Sequence, residues 1–482
     1  MAGIVGTNAV TNTHELEAAL SRIEHRGGSG KSVRVIQGAT FGQVWPRAQE
    51  QLAIGVEGHA VALDGEIHNW TDLCLGATSP LEAVEEAYRA EGPRFVSKLD
   101  GPFALAIAGS DGLFLARDRV GKSPLYYGRR NGALCFASEL KALAGWAQDI
   151  AEFPPGHTHV PDRGVTRYAN IEQREPLDLP AEEVAAELRD RLVASVSKRT
   201  DGDEFGAWLS GGLDSACMTA LASRQHPNLH TFAVGLEGAP DLEYARTTAS
   251  FVGSRHHELV CTLEEMLRVL PTVIYHLESF DALLVRSSIT NFLVGKLAAD
   301  YVPAVLSGEG GDELFAGYSY LKALDPQQIP AELVDITRRL HNTALQRVDR
   351  CSAGHGLVAR TPFLDQDVVD YALRIPPEMK LHGDDQTEKW ILRQAMEGLL
   401  PEEVRTRTKA KFWEGAGVGD LLAVHANEAI SDAEFETERE AAPQVRLNTK
   451  EELFYYRIFA EHFGATLPPD VVGRTKGAPS QE

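Results

Sequence analysis

Cysteine is scarce and scattered. The chain has five in 482 residues, at 74, 135, 217, 261 and 351, with no C-x-x-C pair and no tight cluster with histidine. That excludes a disulfide framework and argues against a zinc site. Basic charge is also in deficit. Lys and Arg total 47 against 69 Asp and Glu, a net charge of −22, and no basic stripe stands out that could answer a phosphate backbone. Long apolar runs are missing: none reaches the ~18–20 residues that span a bilayer. The opening MAGIVGTNAV lacks the basic-then-apolar build of a signal peptide, so the cytoplasm is the expected address. What remains is an ordinary globular composition, 43% hydrophobic and 24% charged, in a chain long enough for two or three domains.

The chain changes rhythm near residue 175. Before it, short apolar runs such as VALDGEI, FALAIAG, GLFLARD and ALCFASE alternate with glycine-containing turns, the pattern of a β-rich layered domain. Residues 170–183, with Pro176, Pro180 and several charges, form the best linker candidate. Val184, Leu188, Leu192 and Val196 then recur every four residues, as one face of an amphipathic helix does. Strand candidates FGAWL (205–209), HTFAVGL (230–236) and PAVLSG (303–308) follow, with helical stretches between them. This alternation predicts a parallel sheet with ligands at the carboxyl ends of its strands. Beyond about residue 320 the pattern is mostly helical. The pair His256-His257 would point to opposite sides of a strand, which favours a structural role over metal binding.

Two glycine-rich segments carry the chemistry. Ser210-Gly211-Gly212-Leu213-Asp214-Ser215 lies between an apolar strand and a helix. Adjacent glycines bring backbone N–H groups close to an oxyanion, the serines add hydroxyls, and a helix start adds positive potential. The loop lacks the lysine of G-x-x-x-x-G-K-[ST], so γ-phosphate transfer is not indicated. Ser307-Gly308-Glu309-Gly310-Gly311-Asp312-Glu313 follows another apolar strand and makes a poor core but a good rim for Mg²⁺ and phosphate. Asp214 and Asp312 are the metal candidates. Capping of a helix after Gly311 is the alternative reading, best suited to Glu313.

These segments resemble the pyrophosphate loop of the ATP pyrophosphatases. With TFAVGLEGAPDLEYARTTASFVGSRHHEL, LVRSSIT, SGEGGDELFAGY, ARTPFLD and RTKAKFWEGAG in that order, the second part resembles the synthetase domain of glutamine-dependent asparagine synthetases and their β-lactam synthetase relatives. GIVG, HRG (25–27), DGEIHN (64–69), GPFALAI, ARDRVGKSPLYYG, FASELKAL and EFPPG resemble the amino-terminal glutaminase domain of the same enzymes. The resemblance implies an α/β protein of two domains. Residues 1–175 would form an Ntn-type αββα sandwich. Residues 176–482 would form a parallel-sheet ATP pyrophosphatase domain with a helical carboxyl-terminal part.

By this resemblance Leu209, Val234, Ser307 and Gly308 would line the adenosine site, and Ser210, Gly211, Gly212 and Ser215 would hold pyrophosphate. Asp214 and Asp312 would carry Mg²⁺. Lys409 would steady charge during adenylation and amide formation, with Lys411 its nearest rival, and Glu309 would be the base near the attacking amine. A solvated basic edge of Arg405, Arg407, Lys409 and Lys411 is the bland alternative. The implied activity is an AMP-forming, ATP-dependent amide ligase acting on aspartate or an aspartate-like acid with ammonia or an amine. Intramolecular ring closure, as in the β-lactam synthetases, and a non-catalytic scaffold are the alternatives. A homodimer is the expected assembly, with no nucleic acid or membrane partner.

Three departures concern the first domain. Ala2 stands where the family has its nucleophilic cysteine, and a methyl group cannot attack an amide carbon. Asp64 replaces the asparagine of the family's NGE motif. The acid that grips the glutamine amine is missing from LGATSPLEAV. Together they favour natural loss of glutaminase chemistry over an engineered Cys-to-Ala change at position 2.

Overall fold

The computed structural model describes residues 2–36, 38–46, 53–54, 59–200, 204–409, 415–418, 420–464, 467 and 471–476. The chain falls into two compact units. One comprises Met1–Asn170 with Ala353–Gly356 and Phe459–Gly473, and the other Ile171–Ser352, Leu357–Ile458 and Arg474–Glu482.

The first unit is built on alternation. Strands β1 (Gly3–Thr7), β2 (Gly30–Ile36), β3 (Ala39–Trp45), β4 (Ala53–Ile54), β5 (Ala60–Gly65), β6 (Phe103–Gly109), β7 (Gly112–Arg117), β8 (Tyr126–Arg130), β9 (Ala133–Ala137), β10 (Gln148–Glu152), β11 (His157–Val160) and β12 (Gly164–Arg167) form two six-stranded antiparallel sheets. Their orders are β10-β8-β9-β1-β3-β2 and β12-β11-β7-β6-β5-β4. Along β6, Ala104, Ala106 and Ala108 share a core with Ile4, Phe41 and Phe136 of the other sheet, while Leu105 and Ile107 pack with Leu81 and Val84 of the helix Pro80–Glu91. Period-2 side chains thus serve two layers at once. Ser79 caps that helix, accepting from Glu82 N. The helix Thr13–Ser21 packs on β1 and β3 through Leu16 and Leu20. The result is the αββα sandwich that the resemblance implies.

In the second unit, Val184, Leu188, Leu192 and Val196 are all buried along the helix Ala181–Lys198, as their spacing predicts. Strands β13 (Gly206–Trp208), β14 (His230–Gly235), β15 (Arg255–Val260), β16 (Ala304–Leu306) and β17 (Val358–Arg360) make a fully parallel sheet in the order β15-β14-β13-β16-β17. The chain runs outward from β13 to β14 on one side and returns to β16 on the other, so the crevice beyond β13 and β16 is a topological switch point. The helix Ala282–Ala299 is a departure from the sequence reading. It is long and apolar enough to cross a membrane by length and composition, yet 72% of it is buried inside the structure, where it packs on β14 as a core helix. The later chain is largely helical, including Ile329–Arg338, Ala344–Ala353, Trp390–Ala395 and Lys450–Phe463.

His256 and His257 lie on β15 and face opposite ways. His256 meets Thr231 and Glu258 at 3.0 Å each, whereas His257 stacks on His230 with ring centroids 5.1 Å apart. Both are held by neighbours in the sheet, as the structural reading of the pair requires.

Candidate functional site

The loop after β13 turns sharply at Gly211, whose φ of +74° suits glycine; a Cβ there would lie 2.3 Å from the Asp241 carbonyl oxygen. Ser215 then ties the loop together. Its Oγ accepts from Ser210 N at 3.1 Å, donates to the Gly212 carbonyl at 3.0 Å and lies 3.1 Å from Ser210 Oγ. Gly212 caps the helix Leu213–Ser223 with no side-chain hydrogen bond, which leaves the backbone N–H groups of its first turn facing outward. The second loop closes on the first. A Cβ on Gly308 would stand 2.7 Å from Ser215 N, so only glycine lets the two backbones meet.

Leu209, Ser210, Asp214, Ser215, Val234, Ser307, Gly308, Glu309, Asp312 and Lys409 line one open cleft, together with Trp208, Phe232 and Val294. Its walls are apolar on the β14 side and polar at the loops, the mixed lining that a nucleotide site has. Gly212 lines an adjoining pocket with Ser210, Asp214, Ser215 and Lys409, whereas Gly211 lines neither and serves by turning the chain.

The carboxylates of Asp214 and Asp312 converge on a third group that the sequence did not announce. Lys389 Nζ lies 2.5 Å from Asp214 Oδ2 and 2.5 Å from Asp312 Oδ1, with only 3% of its side chain exposed. It precedes the helix Trp390–Ala395 at φ +55°, a left-handed position uncommon outside glycine. Lys409 reaches the same cluster, Nζ donating to Asp312 Oδ2 at 2.6 Å. Burial works to raise the Asp312 pKa, but the two ammoniums beside it win and hold it well below the usual carboxylate range. Lys389 is shifted upward against the effect of its own burial by the two aspartates. Lys411 lies outside the described residues.

The donor set fits Mg²⁺. Asp214 Oδ1 and Asp312 Oδ1 are buried and make no well-directed hydrogen bond among the described residues. The 2.5 Å approach of Lys389 to Asp312 Oδ1 is an ion contact off the hydrogen-bond direction. Two hard oxygens with unspent lone pairs, beside a phosphate-type loop, are what Mg²⁺ takes when phosphate and water complete its shell. Among the described residues no cluster of three or more His, Cys, Asp or Glu makes an all-protein metal cage.

Arg407 is not part of a solvated edge. It donates to the Gly211 carbonyl at 2.8 Å and to Asp241 at 2.6 Å, and it stacks over Tyr244 at 4.0 Å, bracing the loop from behind. Arg405 pairs with Glu402. Glu313 does not cap its short helix. It is buried with Tyr318 Oη 2.5 Å away, and burial, reinforced by the charges of Asp312 and Glu309, pushes it up to about 8. Glu309 faces Arg347, whose Nη2 lies 2.7 Å from both carboxylate oxygens.

In the first unit, Ala2 is 1% exposed and its carbonyl accepts from Arg26 Nε at 2.9 Å. The same guanidinium holds Asp64 at 3.0 Å and Glu139 at 2.8 Å, and all three side chains are fully buried. His25 adds a 3.0 Å contact to Glu139. Asp64 therefore stands near the end of β5 as the partner of a buried cation and, as a carboxylate, has no amide N–H to donate.

The asparagine synthase family model matches residues 187–333 and 324–470, and a glutamine amidotransferase domain model matches residues 1–154. Asparagine synthetase B [glutamine-hydrolyzing] of Escherichia coli (strain K12) is 36% identical over 437 residues, covering 84% of this chain and 79% of that protein. Asparagine synthetase [glutamine-hydrolyzing] 2 of Arabidopsis thaliana is 35% identical, covering 84% of this chain and 75% of its own length. A probable asparagine synthetase [glutamine-hydrolyzing] of Schizosaccharomyces pombe is 34% identical over 92% of this chain and 89% of its own.

Proposed function

The chain belongs to the asparagine synthetase family of ligases that form carbon–nitrogen bonds, and from that membership we propose that it adenylates a small carboxylate with ATP and hands the acyl group to ammonia or an amine. The favoured carboxylate is that of aspartate or an aspartate-like acid. Residues 1–175 are assigned to a glutaminase-like domain without hydrolytic activity, and residues 176–482 to the synthetase domain. The five cysteines are all unpaired, which suits a reducing cytoplasm.

The carrying observation is the meeting of the two glycine-rich loops with Lys409, Lys389 and two aspartates at the carboxyl ends of β13 and β16. Ser210, Gly212 and Ser215 take the β and γ phosphates, on backbone N–H groups and the Ser210 hydroxyl, with Gly211 turning the loop that presents them, while Leu209, Val234, Ser307 and Gly308 receive the adenosine. A carboxylate oxygen of the acid attacks the α-phosphorus, the α–β bridge breaks, and pyrophosphate leaves. The amine nitrogen then attacks the acyl carbon, Glu309 takes its proton, and AMP departs with the electron pair. Lys409 meets the charge that shifts to phosphate in the first step and to the tetrahedral oxygen in the second. Asp214 and Asp312 would hold Mg²⁺, which neutralises phosphate charge when bound.

Ala2 offers no nucleophile, and Asp64 is tied to Arg26. We therefore take free ammonia or an amine, and not glutamine, as the nitrogen source. Incubation with ATP, a panel of small carboxylates and ammonium or glutamine tests the whole reading. AMP and pyrophosphate in equal amounts with ammonium support it. ADP as the stoichiometric product overturns the ligase assignment, and glutamate release from glutamine overturns the assignment of the first domain.

A further inference from the structure

Lys409 poses a problem of placement. Its ammonium meets Asp312 at 2.6 Å, yet its side chain is 31% exposed and springs from residues 406–409, which follow the helix Glu402–Arg405 without regular structure. A lysine stem is long and flexible, so a fixed ammonium needs a fixed root. The contact that holds this root comes from elsewhere in the fold. The Lys409 backbone N–H donates to Glu388 Oε1 at 3.1 Å, across 21 positions of chain.

Glu388 is itself firmly set. It ends a short antiparallel ladder in which Leu381–His382 pairs with Thr387–Glu388, and its side chain is buried. Oε1 also accepts from Arg393 Nη2 at 2.9 Å, and Oε2 from Lys322 Nζ at 2.9 Å. Arg393 returns the contact, its Nε donating to the Glu388 carbonyl at 2.8 Å, and its Nη1 donates to the Arg405 carbonyl. Glu388 and Arg393 thus grip the segment Arg405–Lys409 at both ends. Burial works to raise the Glu388 pKa, but its donors, Lys322 foremost, hold it below the ordinary glutamate value, so a charged acceptor faces the Lys409 amide. The next residue is Lys389, whose ammonium lies between Asp214 and Asp312. Two adjacent residues therefore serve both ammoniums of the acid cluster, Lys389 by its own side chain and Glu388 through the backbone of Lys409. Glu388 lines neither the cleft nor the pocket beside it, so any effect it has on the reaction passes through its partners. Building on the ligase reading above, we propose that Glu388 is the positioning residue for Lys409: by accepting its backbone N–H, the carboxylate fixes the root of the side chain and delivers the ammonium to the place where charge shifts in both half-reactions.

Two substitutions in the full chain separate the contact from the charge. Glu388→Asp keeps the anion opposite Lys322 and Arg393, which guards against misfolding, but withdraws it from the Lys409 amide by about one bond length, ~1.5 Å. Glu388→Gln keeps an acceptor oxygen and gives up the charge. Pyrophosphate release with ATP, Mg²⁺, L-aspartate and ammonium is the first readout. Glu388→Asp should lower kcat by about 10–100-fold, the scale of an ~1 Å misplacement, with the ATP KM within about twofold. Glu388→Gln should lose less than about fivefold, and a loss as large as that of Glu388→Asp overturns the proposal, because the charge and not the contact would then matter. In a Lys409→Met background Glu388→Asp should change kcat by less than about threefold, since a side chain already removed has no position to lose. Equal losses in the two backgrounds make Glu388 a support of the fold alone and overturn its positioning role. The second readout needs no turnover: hydrogen exchange of the Lys409 amide in the nucleotide-free chain should quicken at least about tenfold in Glu388→Asp. Unchanged exchange there overturns the proposal by itself, whereas no pyrophosphate release with any small carboxylate overturns the ligase reading and the positioning role with it.

Discussion

Replacing Lys389 by methionine removes one ammonium from between two carboxylates while keeping an apolar stem of similar length. The loss is uneven. Asp312 retains Lys409 at 2.6 Å, but Asp214 keeps no cation among the described residues. Breaking a buried ion pair from one side typically costs ~3–5 kcal/mol, because the remaining charge is left uncompensated. Both aspartates keep some exposure at the cleft, with 14% and 18% of their side chains accessible, so the lower end, ~3 kcal/mol, is the better figure. With an unfolding entropy of ~2.1 cal/mol/K per residue, a cooperative unit of roughly 300 residues changes by ~0.6 kcal/mol/K. Lys389→Met should therefore melt about 5 °C lower in EDTA.

Magnesium makes the prediction specific. Where the ammonium is gone, a divalent ion can take its place between Asp214 and Asp312, and saturation at ~100 times the dissociation constant returns about 2.7 kcal/mol, or about 4–5 °C. The unmodified protein has to displace or share Lys389 and should gain less. Thermal melts by circular dichroism, in EDTA and across a Mg²⁺ titration, read both quantities. A variant melting within about 1 °C of the unmodified chain in EDTA refutes the electrostatic account of Lys389. Equal Mg²⁺ gains in the two proteins refute the claim that ammonium and metal compete for one pair of acids.

Lys409→Met should lower kcat by about 10²-fold with the ATP KM within about twofold, as for a contact made mainly in the transition state, and Lys411→Met should be nearly silent; steady-state pyrophosphate release decides, and the reverse outcome gives the role to Lys411. Gly211→Ala puts a Cβ 2.3 Å from the Asp241 carbonyl at a φ of +74°, so ATP affinity by calorimetry should fall at least about tenfold while far-ultraviolet circular dichroism is unchanged. Unaltered affinity would show that the loop does not need its turn. Glu313 carries a pH signature: its folded pKa is raised from 4.5 to about 8, chiefly by burial, so the folded chain keeps a proton that the unfolded chain releases. Its stabilising contribution is complete below pH 4.5 and declines as pH rises toward 8, by up to ~1.4 kcal/mol per unit. Glu313→Gln should flatten the fall in melting temperature between pH 6 and 8, and an unchanged slope removes Glu313 as its source.

The glycine loops were legible because their chemistry is local. A turn that needs φ above zero, a helix start and flanking hydroxyls all fall within six residues, and a strand of three or four apolar residues marks where they begin. The parallel sheet was legible from the same alternation. Lys389 was not, since TEKW carries no periodic or turn signal and the lysine matters only because the chain brings it 175 positions back to Asp214. Its left-handed backbone is invisible in a residue type that rarely adopts it. Arg347 was hidden for a related reason: in QRVDR it reads as one charge among several on a helix, and only the fold sets it against Glu309. Glu313 misled in the opposite way, its place after glycine inviting a helix-cap reading when the residue turns inward to Tyr318. The membrane test on Ala282–Ala299 shows why an apolar helix is ambiguous until its neighbours are known.

The first unit carries the sandwich fold with Ala2, not a nucleophile, at its second residue, and its buried charges show what holds that region. Arg26 is fully buried, and a guanidinium in that position needs anions on more than one side. Glu139 meets Nη1 and Asp64 meets Nη2, while the Ala2 carbonyl takes Nε, so the cation that underlies the amino terminus is neutralised by the acid that stands in the DGE motif. An aspartate alone at the end of β5 would be a buried charge without a partner. Beside Arg26 it is paired, with both side chains fully buried. The same pairing works against restored hydrolysis. Any change that freed Asp64 would break the fully buried ion pair that ties β5 to Arg26. Ala2 and Asp64 thus both weigh against glutamine hydrolysis, in keeping with the proposed function, while the pairing of Asp64 with Arg26 serves the packing of the sandwich.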